Sequence, residues 1–74
     1  PPLPEDFSIR REDEYWLVEG RWARYISRYD TTQPWDFQYV QREIRRKKLE
    51  EMLRQMGAKE GETVVIHDKA FEIL

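Results

Sequence analysis

The chain has 74 residues, which is room for one small domain, and domains of this length bury only ~60% of their unfolded surface. It has no cysteine, which excludes disulfides and thiolate metal sites, and its three Trp, four Tyr and three Phe supply the large apolar surfaces. Charged residues make up 38% with a net charge of −2, so there is no global attraction to nucleic acid, and no apolar run approaches the ~20 residues of a membrane span.

Residues 1–6 are predicted to be an interdomain linker. They include three prolines, which favour an extended polyproline segment. A chain that opens on a linker is expected to come from a longer protein, and an ordinary ragged terminus is the alternative. The folded domain is then expected over residues 7–74.

A β-hairpin is predicted at the start of the domain. Residues 7–10 alternate apolar and polar, residues 12–14 form a charged turn, and residues 15–19 make the second strand. Both faces of this second strand are apolar, Trp16 with Val18 and Tyr15 with Leu17. The strand is therefore expected to be central in a sheet, or to meet another domain with one face.

Helical periodicity follows Gly20, in three segments. The first apolar stripe is Trp22, Tyr25, Ile26 and Tyr29; the second is Phe37, Val40 and Ile44; the third is Leu49, Met52, Leu53 and Met56. Thr32 is expected to cap the second helix, with Pro34 in its first turn. The stripe loses phase at Lys47-Lys48, which predicts two helices joined there; a continuous helix of about 23 residues is the alternative.

A second hairpin closes the chain. Gly57 is expected to end the last helix, Thr63 to Ile66 to form a strand, and His67-Asp68-Lys69 to form a turn before a final strand. Strands at both ends of the chain with helices between them predict an α+β domain. It has two β-hairpins, about four strands, with two to three helices packed on one face of the sheet. The predicted core contains Trp16, Trp22, Phe37, Leu53, Val64 and Phe71.

No catalytic, cofactor-binding or metal-binding residues are predicted. The lone His67 lies in a turn beside Asp68, without a nucleophile placed near it by the sequence. One histidine without cysteine does not make a zinc site. The chain also lacks the Gly-x-x-x-x-Gly-Lys-Ser/Thr loop that cradles a triphosphate, so this segment is not expected to be an enzyme.

Clustered cations are the one feature that points to a binding surface. They fall on one side of the first helix and at the end of the second: Arg21, Arg24, Arg28, Arg42, Arg45, Arg46, Lys47 and Lys48. Such residues either contact RNA phosphates or simply form solvated helix surface.

The order of these segments resembles the C-terminal domain of the Obg family of bacterial GTPases. The matching pieces are Phe7-Ser8-Ile9, Trp16-Leu17-Val18-Glu19-Gly20, Trp22 to Arg28, Phe37 to Arg42, Leu53 followed by Gly57-Ala58, Gly61 to Val64, and Phe71-Glu72. The chain departs from the family pattern in two places: Lys47-Lys48 replaces an apolar residue and Gly, and His67 stands where Gly is common.

The resemblance implies a regulatory or docking domain of a cytoplasmic GTPase that acts in large ribosomal subunit assembly and in growth or stress control. It implies GTP and magnesium in a GTPase domain outside this segment, and no cofactor within it. The implied partners are the large ribosomal subunit and the GTPase domain of the same chain, without a membrane. The alternative is a stand-alone RNA- or protein-binding module that uses the basic helix faces.

Overall fold

The computed structural model describes residues 7–73, and the predicted linker at 1–6 lies outside the described residues. The elements follow in the order β1 (Ser8–Arg11), β2 (Tyr15–Glu19), α1 (Arg21–Ser27), α2 (Pro34–Arg46), α3 (Leu49–Gln55), β3 (Thr63–Ile66) and β4 (Lys69–Glu72). This order confirms the α+β class, with two hairpins and three helices between them. In residues 7–73 no helix is both long enough and apolar enough to cross a bilayer.

The two hairpins form one mixed sheet of four strands in the order β1-β2-β3-β4. Each hairpin is antiparallel, and the hairpins join through the parallel pair β2–β3, in which Trp16 lies opposite Val64. Strand β2 is therefore internal, as its two apolar faces predicted. The three helices form the crossover that a parallel connection needs.

The helices cover one face of the sheet. Alternate residues of the two central strands, Trp16, Val18, Val64 and Ile66, are at most 5% exposed. They meet buried residues of all three helices, which include Ile26, Val40, Ile44, Leu49 and Leu53. The intervening strand residues point to the other face, where Leu17 and Val65 are half-buried and Tyr15 is exposed.

Several residues of the predicted apolar stripes lie outside the core. Phe37 is 43% exposed because it occupies the first turn of α2, whereas the buried α2 residues begin at Val40. Phe71 is only half-buried, against the edge of the core. Met52 and Met56 are exposed, so the short helix α3 buries only Leu49 and Leu53.

The first helix also differs from its predicted stripe. It ends at Ser27, so Tyr29 lies beyond it, half-buried, and Tyr25 is 43% exposed. Ala23 is fully buried instead. A small residue lets the helix approach the sheet closely, and this shifts the buried side of α1 by one position.

Helices α2 and α3 are separate, as the loss of phase at Lys47-Lys48 predicted. Lys48 adopts the left-handed conformation, with φ 57° and ψ 37°, and directly precedes Leu49. A residue in this region interrupts the right-handed helical path, which is why the apolar stripe resumes out of step.

Two more turns follow the sequence closely. Gly57, at φ 108°, ends α3: its N–H donates to the carbonyl of Arg54, and the N–H of Ala58 donates to the carbonyl of Leu53. This is the Schellman pattern for a helix C-terminus. His67 is confirmed as an exposed turn residue at φ 58°, and its N–H donates to the carbonyl of Val18 at 2.9 Å.

The predicted cap of α2 is wrong. Gln33, not Thr32, precedes the helix, and no side chain caps it. The N–H and hydroxyl of Thr32 both donate to Asp30 Oδ1, at 3.0 and 2.6 Å. Asp30 thus binds Thr32 in a local turn. Hydrogen bonds of this local kind compete with helix capping for short polar side chains. Pro34 does occupy the first turn.

Candidate functional site

Helices α1 and α2 border a shallow surface groove, called here the α1–α2 groove. Its lining is Arg21, Trp22, Tyr25, Tyr39, Glu43, Arg46 and Lys47. Three cations and one carboxylate line it, so the groove is positive although the chain is acidic overall. Local charge of this kind, rather than net charge, determines whether a surface attracts phosphate.

Glu43 holds the two walls of the groove together. Its carboxylate accepts two hydrogen bonds from Arg46, both 2.9 Å, and one from the indole N–H of Trp22 at 3.3 Å. These bonds connect α1 to α2 and orient the guanidinium. The hydrogen bonds from Arg46 lower the pKa of Glu43; burial opposes this effect, and the bond from Trp22 adds to it. Glu43 is therefore ionised at neutral pH.

Three tyrosines extend the groove at one end. The hydroxyl of Tyr25 lies 2.9 Å from that of Tyr29 and 3.0 Å from that of Tyr39. The rings of Tyr29 and Tyr39 are 4.8 Å apart, and Tyr25 meets both edge-on. The hydrogen bond with Tyr25 raises the pKa of Tyr39, so this phenol stays protonated and able to donate.

The structure divides the eight predicted cations into three groups. Arg21, Arg46 and Lys47 converge on the α1–α2 groove from two helices. Arg45 and Lys48 line a different depression together with Arg54, and Glu50 and Glu51 offset most of the positive charge there. The remaining three are exposed and line neither depression: Arg24, Arg28 and Arg42.

The groove also contains residues that the sequence did not single out. Tyr25 belongs to the predicted apolar stripe, and neither Tyr39 nor Glu43 is among the predicted core or contact residues. The signal for Tyr39 is its spacing: Trp35 and Tyr39 are four residues apart and share one side of α2. No comparable signal existed for Glu43, since its role depends on the approach of α1.

Metal chemistry gains no support from the described part of the chain. In residues 7–73, no three His, Cys, Asp or Glu side chains come close enough to hold a metal ion. The groove offers cations and hydroxyl donors, which suit an anionic ligand.

Comparison with known proteins gives the family. A family described as a domain of unknown function, DUF1967, matches residues 7–72. The whole chain is 99% identical to part of the GTPase Obg of Coprothermobacter proteolyticus. The chain belongs to the Obg C-terminal domain family. This Obg domain is also 41% identical, over 92% of its length, to part of the GTPase Obg of Acetivibrio thermocellus, and 36% identical over 89% to that of Ruminiclostridium cellulolyticum.

The domain spans only a small part of these relatives. It covers 18% of the Coprothermobacter protein and 16% of each of the other two. No solved structure matches the domain.

Proposed function

We propose that this domain is the docking and regulatory module of an Obg-type GTPase and contacts the RNA of the large ribosomal subunit through the α1–α2 groove. GTP and Mg²⁺ would bind in the GTPase domain of the same protein. The relatives named above are GTPases several times longer than this chain, which supports that arrangement. A stand-alone RNA- or protein-binding module has less support for the same reason.

The convergence of Arg21, Arg46 and Lys47 carries this proposal. A solvated helix surface spreads its charges, but here two helices place three cations beside hydroxyl donors in one depression. Arg46 is held by its two bonds to Glu43, so its planar fork is already oriented. An oriented guanidinium loses less conformational entropy when it binds phosphate. Contacts of this kind position a protein on RNA without reading its sequence.

Salt dependence gives the test. We expect the Coprothermobacter GTPase Obg, which contains this domain nearly unchanged, to co-sediment with large ribosomal subunits less strongly as salt rises. Combining Arg21→Gln with Lys47→Gln removes two of the groove cations. The magnitude of the slope of log K against log salt should then fall by roughly 1.4–1.8, at ~0.7–0.9 per phosphate contact.

The matched control combines Arg24→Gln with Arg28→Gln. It makes the same change in net charge on exposed residues that do not line the groove. Melting temperatures of both variants check that the fold survives, since Lys47 is half-buried. Equal loss of binding in the two variants would show that net charge, and not the groove, determines the contact. No loss in either would contradict the proposal.

A further inference from the structure

One side of α2 continues the α1–α2 groove as a strip of aromatic and cationic side chains. Trp35, Tyr39, Arg42 and Arg46 occupy positions i, i+4, i+7 and i+11, which lie along one side of a helix. At ~1.5 Å per residue, Trp35 and Arg46 are about 16 Å apart along the axis. The strip is therefore aromatic at the start of the helix and cationic at its end.

Trp35 is the most unusual residue of this strip. It is 83% exposed, whereas Trp16 and Trp22 are each 5% exposed and belong to the core. An indole is one of the largest apolar surfaces a side chain offers, and exposed Trp and Tyr are enriched where proteins bind partners. The neighbouring packing therefore does not explain why Trp stands at this position.

The tyrosine cluster beside the strip has a hydrogen-bond donor left over. Three hydroxyls supply three O–H donors, and the cluster uses two of them in its bonds at 2.9 and 3.0 Å. The third donor is available to water or to a ligand. Since the hydroxyls are exposed and Tyr25 and Tyr39 also line the basic groove, an anionic or polar ligand would meet this donor together with the cations.

We propose that this strip and the groove bind single-stranded RNA: an unpaired base stacks on the indole of Trp35, and the following phosphates meet Arg42, Arg46 and the groove. The inference rests on the proposed RNA contact and adds that the RNA bound there is single-stranded. Aromatic platforms combined with a cationic groove are the usual means of holding single strands. A duplex keeps its bases stacked inside and would use the cations alone.

An acidic protein segment is the competing partner. Its carboxylates would satisfy Arg42 and Arg46 equally well, but a carboxylate has no flat apolar face to stack on an indole. A base offers Trp35 a flat π-face, and its phosphate takes the adjacent charge. The combination of both features on one helix side therefore favours RNA.

Intrinsic fluorescence of the 74-residue chain tests this inference. Because the other two tryptophans are buried, a base that stacks on Trp35 should quench the exposed part of the emission. We expect a single-stranded RNA of about eight nucleotides to quench it and to bind roughly tenfold more tightly than a duplex of the same sequence. Poly-glutamate stands for an acidic protein partner, and tripolyphosphate stands for free phosphate. Neither should quench the tryptophan emission.

Three variants separate stacking from charge. Trp35→Ala should lower single-strand affinity roughly tenfold with no effect on duplex binding, and Trp35→Phe should restore part of it. Phe37→Ala is the matched control, because Phe37 is also exposed but lies two residues from Trp35 and therefore on a different side of α2. The binding of all three variants is measured by the fluorescence anisotropy of labelled RNA.

The outcomes distinguish this inference from the proposed function. Equal affinity for single strand and duplex, or an unchanged Trp35→Ala variant, would overturn stacking while the salt-dependent ribosome contact could still hold. Poly-glutamate that binds as tightly as RNA would overturn the inference in favour of an acidic protein partner.

Discussion

Two buried indoles each donate their N–H to a glutamate in this domain. Trp22 donates to Glu43 at 3.3 Å, and Trp16 donates to Glu62 at 3.4 Å. Glu62 also accepts from the backbone N–H of Lys59 at 2.7 Å, the contact that does most to lower its pKa. Each pair satisfies a polar group that the core would otherwise leave without a partner, and each ties an element to the sheet or to its neighbour.

Replacing Glu43 tests this bond between helices. Because its folded-state pKa is lowered, the charge contributes stability above the unfolded-state value of about 4.3, and that contribution is lost as pH falls through the folded pKa. We expect Glu43→Gln to reduce the free energy of unfolding by about 1–2 kcal/mol at pH 7. At pH 3 the difference from the parent chain should shrink. Urea titrations at the two pH values measure both.

Glu51→Gln is the control for this change. It alters the net charge equally at an exposed position of α3. If Glu51→Gln reduces the free energy of unfolding at pH 7 as much as Glu43→Gln does, overall charge accounts for the effect and the bonds to Arg46 and Trp22 do not.

At the level of elements, the junction between α2 and α3 is strained. Lys48 is not glycine, yet its φ is 57°, a conformation that costs an ordinary L-residue roughly 1–2 kcal/mol. Lys47, one residue earlier, has an ordinary helical φ of −80°. The two adjacent lysines therefore respond oppositely to the same substitution.

We expect Lys48→Gly to raise the free energy of unfolding by about 0.5–1 kcal/mol, since the relief of strain exceeds the entropy that glycine adds to the unfolded chain. For a domain of this size that is an increase in Tm of roughly 2–8 °C. Lys47→Gly should lower the Tm instead, because glycine adds entropy to the unfolded chain and there is no strain at this position to relieve. If thermal melts show a lower Tm for both variants, the left-handed turn carries no strain.

The residue periods predicted each type of element and the break between α2 and α3. They did not predict which turn of a helix lies over the sheet. Phe37 has the angular position of Val40 and Ile44 but sits one turn too early, and Met52 belongs to a helix of only two turns. A period gives the direction of a side chain around its helix axis, whereas burial also depends on how far along the axis the partner extends.

The same limit explains how much of the candidate site was predictable. The cations were visible as clusters, but the sequence could not show that Arg21 and Lys47 meet while Arg24 and Arg45 point elsewhere. That depends on the crossing of α1 over α2, which Glu43 and Trp22 fix through a contact 21 residues apart in the chain.

At the scale of the whole molecule, the domain has two layers, helices on one side and an open sheet face on the other. The parallel pairing of β2 with β3 places Trp16 and Val18 beside Val64 and Ile66, all toward the helices. The intervening residues Leu17 and Val65 are half-buried on the open face. Two neighbouring valines thus have very different surroundings.

Changing each valine to threonine measures this difference without altering shape or strand propensity much. Val64 is 4% exposed, so Val64→Thr buries a hydroxyl among apolar groups and should cost about 2 kcal/mol of unfolding free energy. Val65→Thr leaves its hydroxyl accessible to water and should cost no more than about 0.5 kcal/mol. Urea titrations of the 74-residue chain give both values, provided that the slopes with urea are equal. Equal losses at the two positions would mean that the second sheet face is as dry as the first, which the open two-layer arrangement does not allow.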